Sequence, residues 1–322
     1  MQNQNVVSID YFKDKERFAD FLNGYFYSGQ EIIRQEDIHE VNPVLSRTWK
    51  GGSSFLTNVN IMDLMSEVSV ECQVLLIALQ NQTDIHYAMP IRLMNQDAIS
   101  YYNQWKEIQK IHKHAKDLKA GGEYLSGFAR TDRLKPVVSI VIYFGREPWD
   151  GARSLKELMN LAGWPENIRE MIADYSINLF EVCTCSTLEV FRTDIQEVFG
   201  FLQNVEDKER LEKYVGEHRE AFSDMAEDAY DLLSVMSHTE KLKELKKINK
   251  KPGGKYNMSK AINDMIKEGM EQGMKQGIQQ GLNENRINRL NQMLLEDNRT
   301  GDLNRSIVDS RFQMELLEEY AL

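Results

Sequence analysis

The polar run that follows the apolar stretch at residues 72–79 is where this chain could do chemistry. It contains Gln80, Gln82 and Asp84, whose side-chain oxygens are of the kind that bind hard divalent cations. Carboxylates at the ends of adjacent strands hold Mg²⁺ against a phosphate group during metal-dependent hydrolysis. Two of these three side chains are neutral amides, so the run has the position of a metal site but little of its charge.

The strands that must position this run are predicted from apolar and β-branched composition. Continuous apolar character predicts a buried strand at 72–79, and the clearest strand is expected at 137–144. Further strands are expected near 55–65 and at 177–182. Together with intervening helical patterns they predict an α/β fold with a central mixed sheet flanked by helices.

Two helices are predicted on either side of the polar run. Apolar residues recur at helical spacing over residues 8–27, and a second helical pattern covers 91–119. The second contains His112 and His114, which lie on opposing sides of the helix and cannot share a metal. We therefore interpret both as exposed histidines.

Composition limits the class of protein. The 322 residues are 42% hydrophobic, enough to bury a core, and the chain contains three cysteines. No apolar stretch reaches the length of a membrane span, and no secretory signal is recognisable, so a soluble cytoplasmic protein is expected. The net charge of −11 argues against broad electrostatic capture of nucleic acid but leaves a local basic groove open.

The C-terminal part differs from the rest of the chain. Residues 250–254 resemble a linker, which divides the chain into a domain at 8–250 and a tail at 251–322. Glycines at every fourth position from Gly269 to Gly281 alternate with apolar residues. The pattern allows a flexible linker, but the other residues are helix formers and favour a helix that self-associates through its glycine stripe. Glu and Lys within the repeat exclude a membrane role.

Several sequence blocks resemble one known family in the same order over most of the chain. The quoted blocks are RFADFLNGYFYSGQEIIRQEDIHEVN, NQTDIHYAMPIR, RLKPVVSIVIYFGREPWDGARSLKELM, INLFEV, FRTDIQEVFGFL and MSKAINDMIKEGMEQG. They are similar to the Rpn-type recombination-promoting nucleases, or transposases, of the PD-(D/E)XK nuclease superfamily. The resemblance implies a restriction-endonuclease-like core and a Mg²⁺-dependent DNA endonuclease activity from a mobile element.

The chain departs from the family pattern at its metal-binding acids. The family strand ends in Glu-x-Gln, and here Gln80 stands at the Glu position while Gln82 retains the Gln. The family also places an Asp about twenty residues earlier, and Asn60 is the best match, with Asn58 as the alternative register. Loss of both acids removes two negative charges, so we expect a catalytically impaired protein with no cofactor.

Alternatives to the impaired enzyme remain open. Asp63 or Asp84 could replace the lost acids in an active Mg²⁺-dependent endonuclease. Asp63 lies three residues beyond Asn60 and would face the opposite side of a shared strand, whereas Asp84 is expected to begin a turn. The chain could also be an oligomerisation protein without a DNA role.

The expected partners are DNA and further protein chains. Arg92 and Lys106 flank the helix after the polar run and could contact backbone phosphates. The C-terminal helix could pair with a second copy or with an active paralogue and reduce its activity.

Overall fold

The computed structural model describes residues 4–41, 44–51, 54–61, 64–70 and 73–322. Its strands are β1 (Ile38–Glu40), β2 (Val44–Gly51), β3 (Ser54–Ile61), β4 (Leu64–Val70), β5 (Gln73–Gln82), β6 (Val137–Tyr143) and β7 (Asn178–Glu181). Its α-helices are α1 (Gln4–Phe12), α2 (Lys15–Tyr27), α3 (Met89–Ala115), α4 (Gly121–Ser126), α5 (Glu166–Met171), α6 (Ile195–Asn204), α7 (Lys208–Glu217), α8 (Arg219–Ser223), α9 (Glu227–Met236), α10 (Glu240–Leu245), α11 (Met258–Glu296), α12 (Thr300–Val308) and α13 (Ser310–Glu319). The chain divides into two compact units, Met1–Ser259 and Lys260–Leu322.

A mixed five-stranded sheet lies at the centre of the first unit. Its strand order is β1-β4-β5-β6-β7. Strand β4 is antiparallel to β1 and β5, whereas β5, β6 and β7 run parallel to one another. The parallel step from β5 to β6 contains helix α3, as a crossover connection requires. The predicted α/β class with a central mixed sheet is confirmed.

Helices cover both faces of this sheet. On one face Ile99 of α3 packs against Met65, Leu76 and Ala78. On the other face α1 contacts β5, and aromatic rings join α2 and α6 to the sheet. The ring pairs there are Phe21–Phe180 at 5.2 Å and Phe180–Phe199 at 5.6 Å. Because both faces are buried, β5 and β6 read as nearly continuous apolar runs.

The prediction of one strand near 55–65 is wrong. Strand β3 pairs antiparallel with β2 in a separate two-stranded sheet, and β4 belongs to the five-stranded sheet. Strand β2 also contacts α3. The predicted range therefore spans the end of one sheet and the beginning of another.

The prediction of a single helix over 8–27 is also wrong. Helix α1 ends at Phe12, and Asp14 begins a new helix by accepting hydrogen bonds from the backbone N–H groups of Glu16 and Arg17. An aspartate in this N-cap position satisfies donors that would otherwise lack a partner. Helix α2 then ends at Ser28, which adopts a left-handed conformation with φ of 51°.

The segment at 250–254, interpreted as a linker, is part of the first unit. The backbone N–H of Lys251 donates to the carbonyl of Lys255 at 2.7 Å around a turn in which Gly253 has a φ of 87°. Met225 and Tyr256 exchange backbone hydrogen bonds of 3.0 and 2.9 Å, and both side chains are buried. The boundary between the units falls after this pairing.

The second unit is helical, and α11 passes through the whole glycine repeat, as the helix interpretation predicts. Leu290 and Leu294 of α11 form a core with Leu316 of α13. No helix in the described part of the chain combines the length and apolar character needed to cross a bilayer.

Candidate functional site

Gln80 lies in a buried position near the end of β5. Its backbone pairs with Val141 of β6, and its side chain is only 2% exposed. Side chains alternate along a strand, so Gln80 faces the same side as Ala78, which packs against α3. There Gln96 of α3 donates a hydrogen bond from Nε2 to Oε1 of Gln80 at 3.4 Å. Gln80 thus presents a neutral, buried amide beneath helix α3.

Gln82 lies on the same face, two residues further along β5. Its Nε2 donates to the backbone carbonyl of Asn81 at 2.7 Å, and its backbone pairs with Tyr143. The side chain is half-buried. Gln80 and Gln82 therefore face the same side of β5, which extends beyond the predicted end at residue 79.

Asn60 occupies a different sheet from Gln80. It lies on β3 opposite Leu45, and the alternative Asn58 lies opposite Arg47. The two strands hydrogen-bonded to β5 are β4 and β6, and β3 is not one of them. Backbone pairing does not place Asn60 or Asn58 beside Gln80.

Asp63 lies outside the described residues, but its neighbours in the chain are informative. Strand β3 ends at Ile61 and β4 begins at Leu64. The orientation expected for Asp63 relative to Asn60 therefore stays a prediction. Leu64 pairs with Leu79, the residue before Gln80.

A cleft of about 560 Å³ opens at the carboxyl ends of β5 and β6. It is lined by Asp84, which is exposed there, and by Arg146, Glu147, Glu206 and His238 among others. Arg146 forms an ion pair with Glu206. Clefts at this edge of parallel strands are common ligand sites. Gln80 and Gln82 are not among its lining residues, so the cleft and the amide pair are separate features.

Sequence reasoning missed the residues that complete this cleft. Arg146 and Glu147 directly follow the strand predicted at 137–144, and a charged pair after a buried strand is a usable signal. Glu206 follows α6 and His238 follows α9, and neither carries a local signal. Three carboxylates against one guanidinium make the cleft acidic.

Helix α3 carries a buried acid, Asp97, directly after Gln96 in the sequence. Asp97 accepts hydrogen bonds from Ser139 Oγ at 2.6 Å and from the Tyr175 hydroxyl at 2.7 Å. Burial raises the pKa of the Asp97 carboxyl, and the two hydrogen bonds oppose this shift. The cluster ties α3 to β6 and to the segment before β7.

The two predicted phosphate contacts do not form one basic patch. Arg92 and Lys106 are fourteen residues apart on α3, which corresponds to about 21 Å along the helix. Lys106 donates to Gln109 at 2.9 Å and lies over the ring of Trp105 at 4.7 Å. Its ammonium group is therefore already engaged within the helix.

The interpretation of His112 as an exposed histidine is wrong. Its side chain is 13% exposed and lies between two carboxylates. Nδ1 is 2.6 Å from Asp117 and Nε2 is 2.8 Å from Asp132. Both contacts raise the pKa of the His112 imidazole, and the hydrogen bond to Asp117 has the larger effect.

The side chains of the amide pair, Gln80 and Gln82, are suited to hydrogen bonding rather than to cation binding. Carboxamide oxygens are neutral ligands, and Mg²⁺ is held in proteins mainly through carboxylates and substrate phosphates. Across the side chains that the structure describes, no group of three or more His, Cys, Asp or Glu could hold a metal ion. Comparisons of the chain with family models, with curated proteins and with solved structures found no match.

Proposed function

We propose that this chain is a catalytically impaired member of the Rpn-type transposases of the PD-(D/E)XK nuclease superfamily. The observation that carries the proposal is the state of Gln80. It stands where the family has its metal-binding Glu, it is 2% exposed, and its oxygen accepts a hydrogen bond from another amide, Gln96. A carboxylate at this position would attract a cation, whereas the neutral amide accepts a hydrogen bond from Gln96 Nε2 without one.

The magnitude of the missing charge supports loss of hydrolysis. Two unit charges 4 Å apart attract by about 4 kcal/mol at an effective dielectric constant near 20. Removing one such interaction corresponds to a loss of about three orders of magnitude in affinity for a cation. A second amide in place of the family Asp would lower the affinity further, and metal ions supply much of the charge stabilisation in phosphate chemistry.

The architecture is compatible with the proposed family. A restriction-endonuclease-like core has a central mixed sheet flanked by helices, and the sheet here is mixed and covered on both faces. The acidic cleft beside the sheet would repel a phosphate backbone. We therefore propose that DNA binding, if retained, is weak and depends on residues outside this cleft.

A plasmid-nicking assay with Mg²⁺ or Mn²⁺ tests the impaired enzyme. We expect no nicking by the parent chain and a gain of nicking by the double variant Gln80→Glu with Asn60→Asp. Gln82→Glu is the matched control, because it adds the same charge two residues away on the same strand face. Robust cleavage by the parent chain would contradict the proposal. A gel shift at low and moderate salt measures whether any DNA binding remains.

An active Mg²⁺-dependent endonuclease is the second candidate. The observation that favours it is the start of β4 at Leu64, which pairs with Leu79 next to Gln80. Asp63 immediately precedes that strand in the sequence. In this case the parent chain would nick plasmid, and Asp63→Asn would abolish nicking while Asn60→Ala would not. Asp84→Asn tests the other acid, which lines the neighbouring cleft.

A further inference from the structure

An apolar ridge runs along one side of helix α11. It consists of Met270, Met274, Ile278 and Leu282, whose side chains are 59%, 71%, 57% and 53% exposed. Four large apolar side chains at four-residue spacing form the kind of ridge by which helices pack. The rest of the second unit leaves this ridge uncovered, because its core is formed further along the helix at Leu290 and Leu294.

A groove of glycines runs directly beside the ridge. Gly269, Gly273, Gly277 and Gly281 each precede one ridge residue. Glycine is less favourable than alanine in a helix, so the four glycines weaken α11. A Cβ atom added at Gly269 or Gly281 would meet no atom within 4 Å. Packing within one chain therefore does not explain why these two positions lack a side chain.

The ridge and the groove are complementary to each other. A two-fold interface uses the same surface on both partners, so that surface must be its own complement. When two such helices lie parallel about a two-fold axis, each ridge falls over the groove of the other. Four-residue ridges pack in this way at a crossing angle of about −50°. Helices in an antiparallel pair would instead place ridge against ridge.

The charge of this surface also suits a second copy. Residues 269–282 contain one acidic and one basic residue, Glu271 and Lys275, although the whole chain carries −11. Two copies of this stretch therefore do not repel each other. Gln276 and Gln280 are exposed beside the groove, and an amide can meet a partner of either sign.

We propose that two copies of this chain associate through α11 in a parallel pair, with the ridge of each helix in the glycine groove of the other. The inference rests on the second unit alone and is independent of the proposed nuclease ancestry. It explains both the exposed ridge and the glycines that weaken the helix.

Sedimentation equilibrium of the full chain tests the association. The parent chain is expected at about 75 kDa, twice the chain mass of 37.4 kDa. Changing the four glycines to alanine should increase helicity in circular dichroism and yet weaken the dimer at least tenfold. If the glycines had only a structural role within one chain, the four alanines would not weaken the dimer, since alanine stabilises a helix. A monomeric parent, or a dimer that tolerates the four alanines, would overturn the proposal.

Charge placed on the ridge provides a second test with a matched control. Met274→Lys with Ile278→Lys should give monomers, because both residues lie in the proposed interface. Gln279→Lys with Asn283→Lys adds the same charge to the opposite side of α11, where both residues are exposed, and should leave the dimer intact. Equal effects of the two pairs would overturn the assigned surface.

The orientation can be tested by a single cysteine. In a chain whose native cysteines are changed to serine, Met270→Cys should form a disulfide between copies only if the helices are parallel. A mixed pair of Met270→Cys and Leu282→Cys chains that cross-links while neither cross-links alone would overturn the parallel arrangement.

Discussion

Gln96 on α3 donates a hydrogen bond to Gln80 on β5 at 3.4 Å, and both side chains are buried. The contact joins α3, which covers one face of the sheet, to the central strand β5. An amide donor beside an amide acceptor pairs these two atoms without a net charge. The position is therefore suited to the folded state of this chain and poorly suited to an ionised side chain.

Gln80→Glu is expected to destabilise the protein in the absence of divalent cations. At pH 7 the buried carboxyl must either stay ionised in an apolar setting or remain protonated far above its ordinary pKa of about 4.3. Protonation sets an upper limit of about 4 kcal/mol on the loss of unfolding free energy, at 1.36 kcal/mol for each pH unit. The loss should shrink as the pH falls toward 4.

Urea unfolding in EDTA at pH 7 and pH 5 measures this effect. Gln82→Glu provides the comparison, because its side chain is only half-buried and should show a smaller loss. Equal stability of Gln80→Glu and the parent chain at pH 7 would contradict the prediction, because it would mean that water reaches the carboxyl group at this position.

Arg17→Met is expected to lower the unfolding free energy by about 3–5 kcal/mol. Arg17 is 9% exposed and its guanidinium bonds to both Asp194 and Asp228. Removing it leaves two partly buried carboxylates without their cation, which is the costly way to break a buried ion pair. Lys13→Ala removes an exposed ion pair with Asp10 on the neighbouring turn and should cost less than about 1 kcal/mol. Similar losses for the two variants, measured by urea unfolding, would contradict the prediction.

Stability should depend on pH through His112. Hydrogen bonds to Asp117 and Asp132 raise the pKa of its imidazole in the folded state. A raised folded pKa means that the stabilisation is fully present below the unfolded pKa of about 6.5 and is lost as the pH rises through the folded pKa. The unfolding free energies of the parent chain and His112→Gln should thus differ most at pH 5.5 and converge at alkaline pH.

His114→Gln on the same helix is the control for this pH dependence, because His114 is exposed. The direct readout is an NMR titration of the His112 ring. A midpoint at or below 6.5 would contradict the assignment of the two carboxylates as its partners.

The sequence predicts the central elements well because their signals are local. Continuous apolar and β-branched residues predict β5, β6 and β7 to within a few residues at either end, and helical periodicity predicts α3. These features depend only on residues close together in the chain.

Features that depend on distant residues are not predictable in this way. Residues 250–254 have the composition of a linker, yet Tyr256 pairs with Met225, thirty-one residues earlier. Asn60 and Gln80 look like residues of neighbouring strands, but Asn60 lies on β3 of the separate two-stranded sheet. The start of α2 was missed for a different reason. Asp14 directly before Lys15 and Glu16 is a local signal for a helix start, and it could have been recognised from the sequence.

The mixed direction of the central sheet also determines the order in which it can assemble. Strands β4 and β5 are antiparallel and separated by two residues. They can therefore form a hairpin, a step that takes microseconds. Strand β6 must wait for closure of the 54-residue loop between Gln82 and Val137, which costs more chain entropy. Until that closure the apolar flank of β5 stays open to water, and this hairpin is where a newly made chain would most need protection from aggregation.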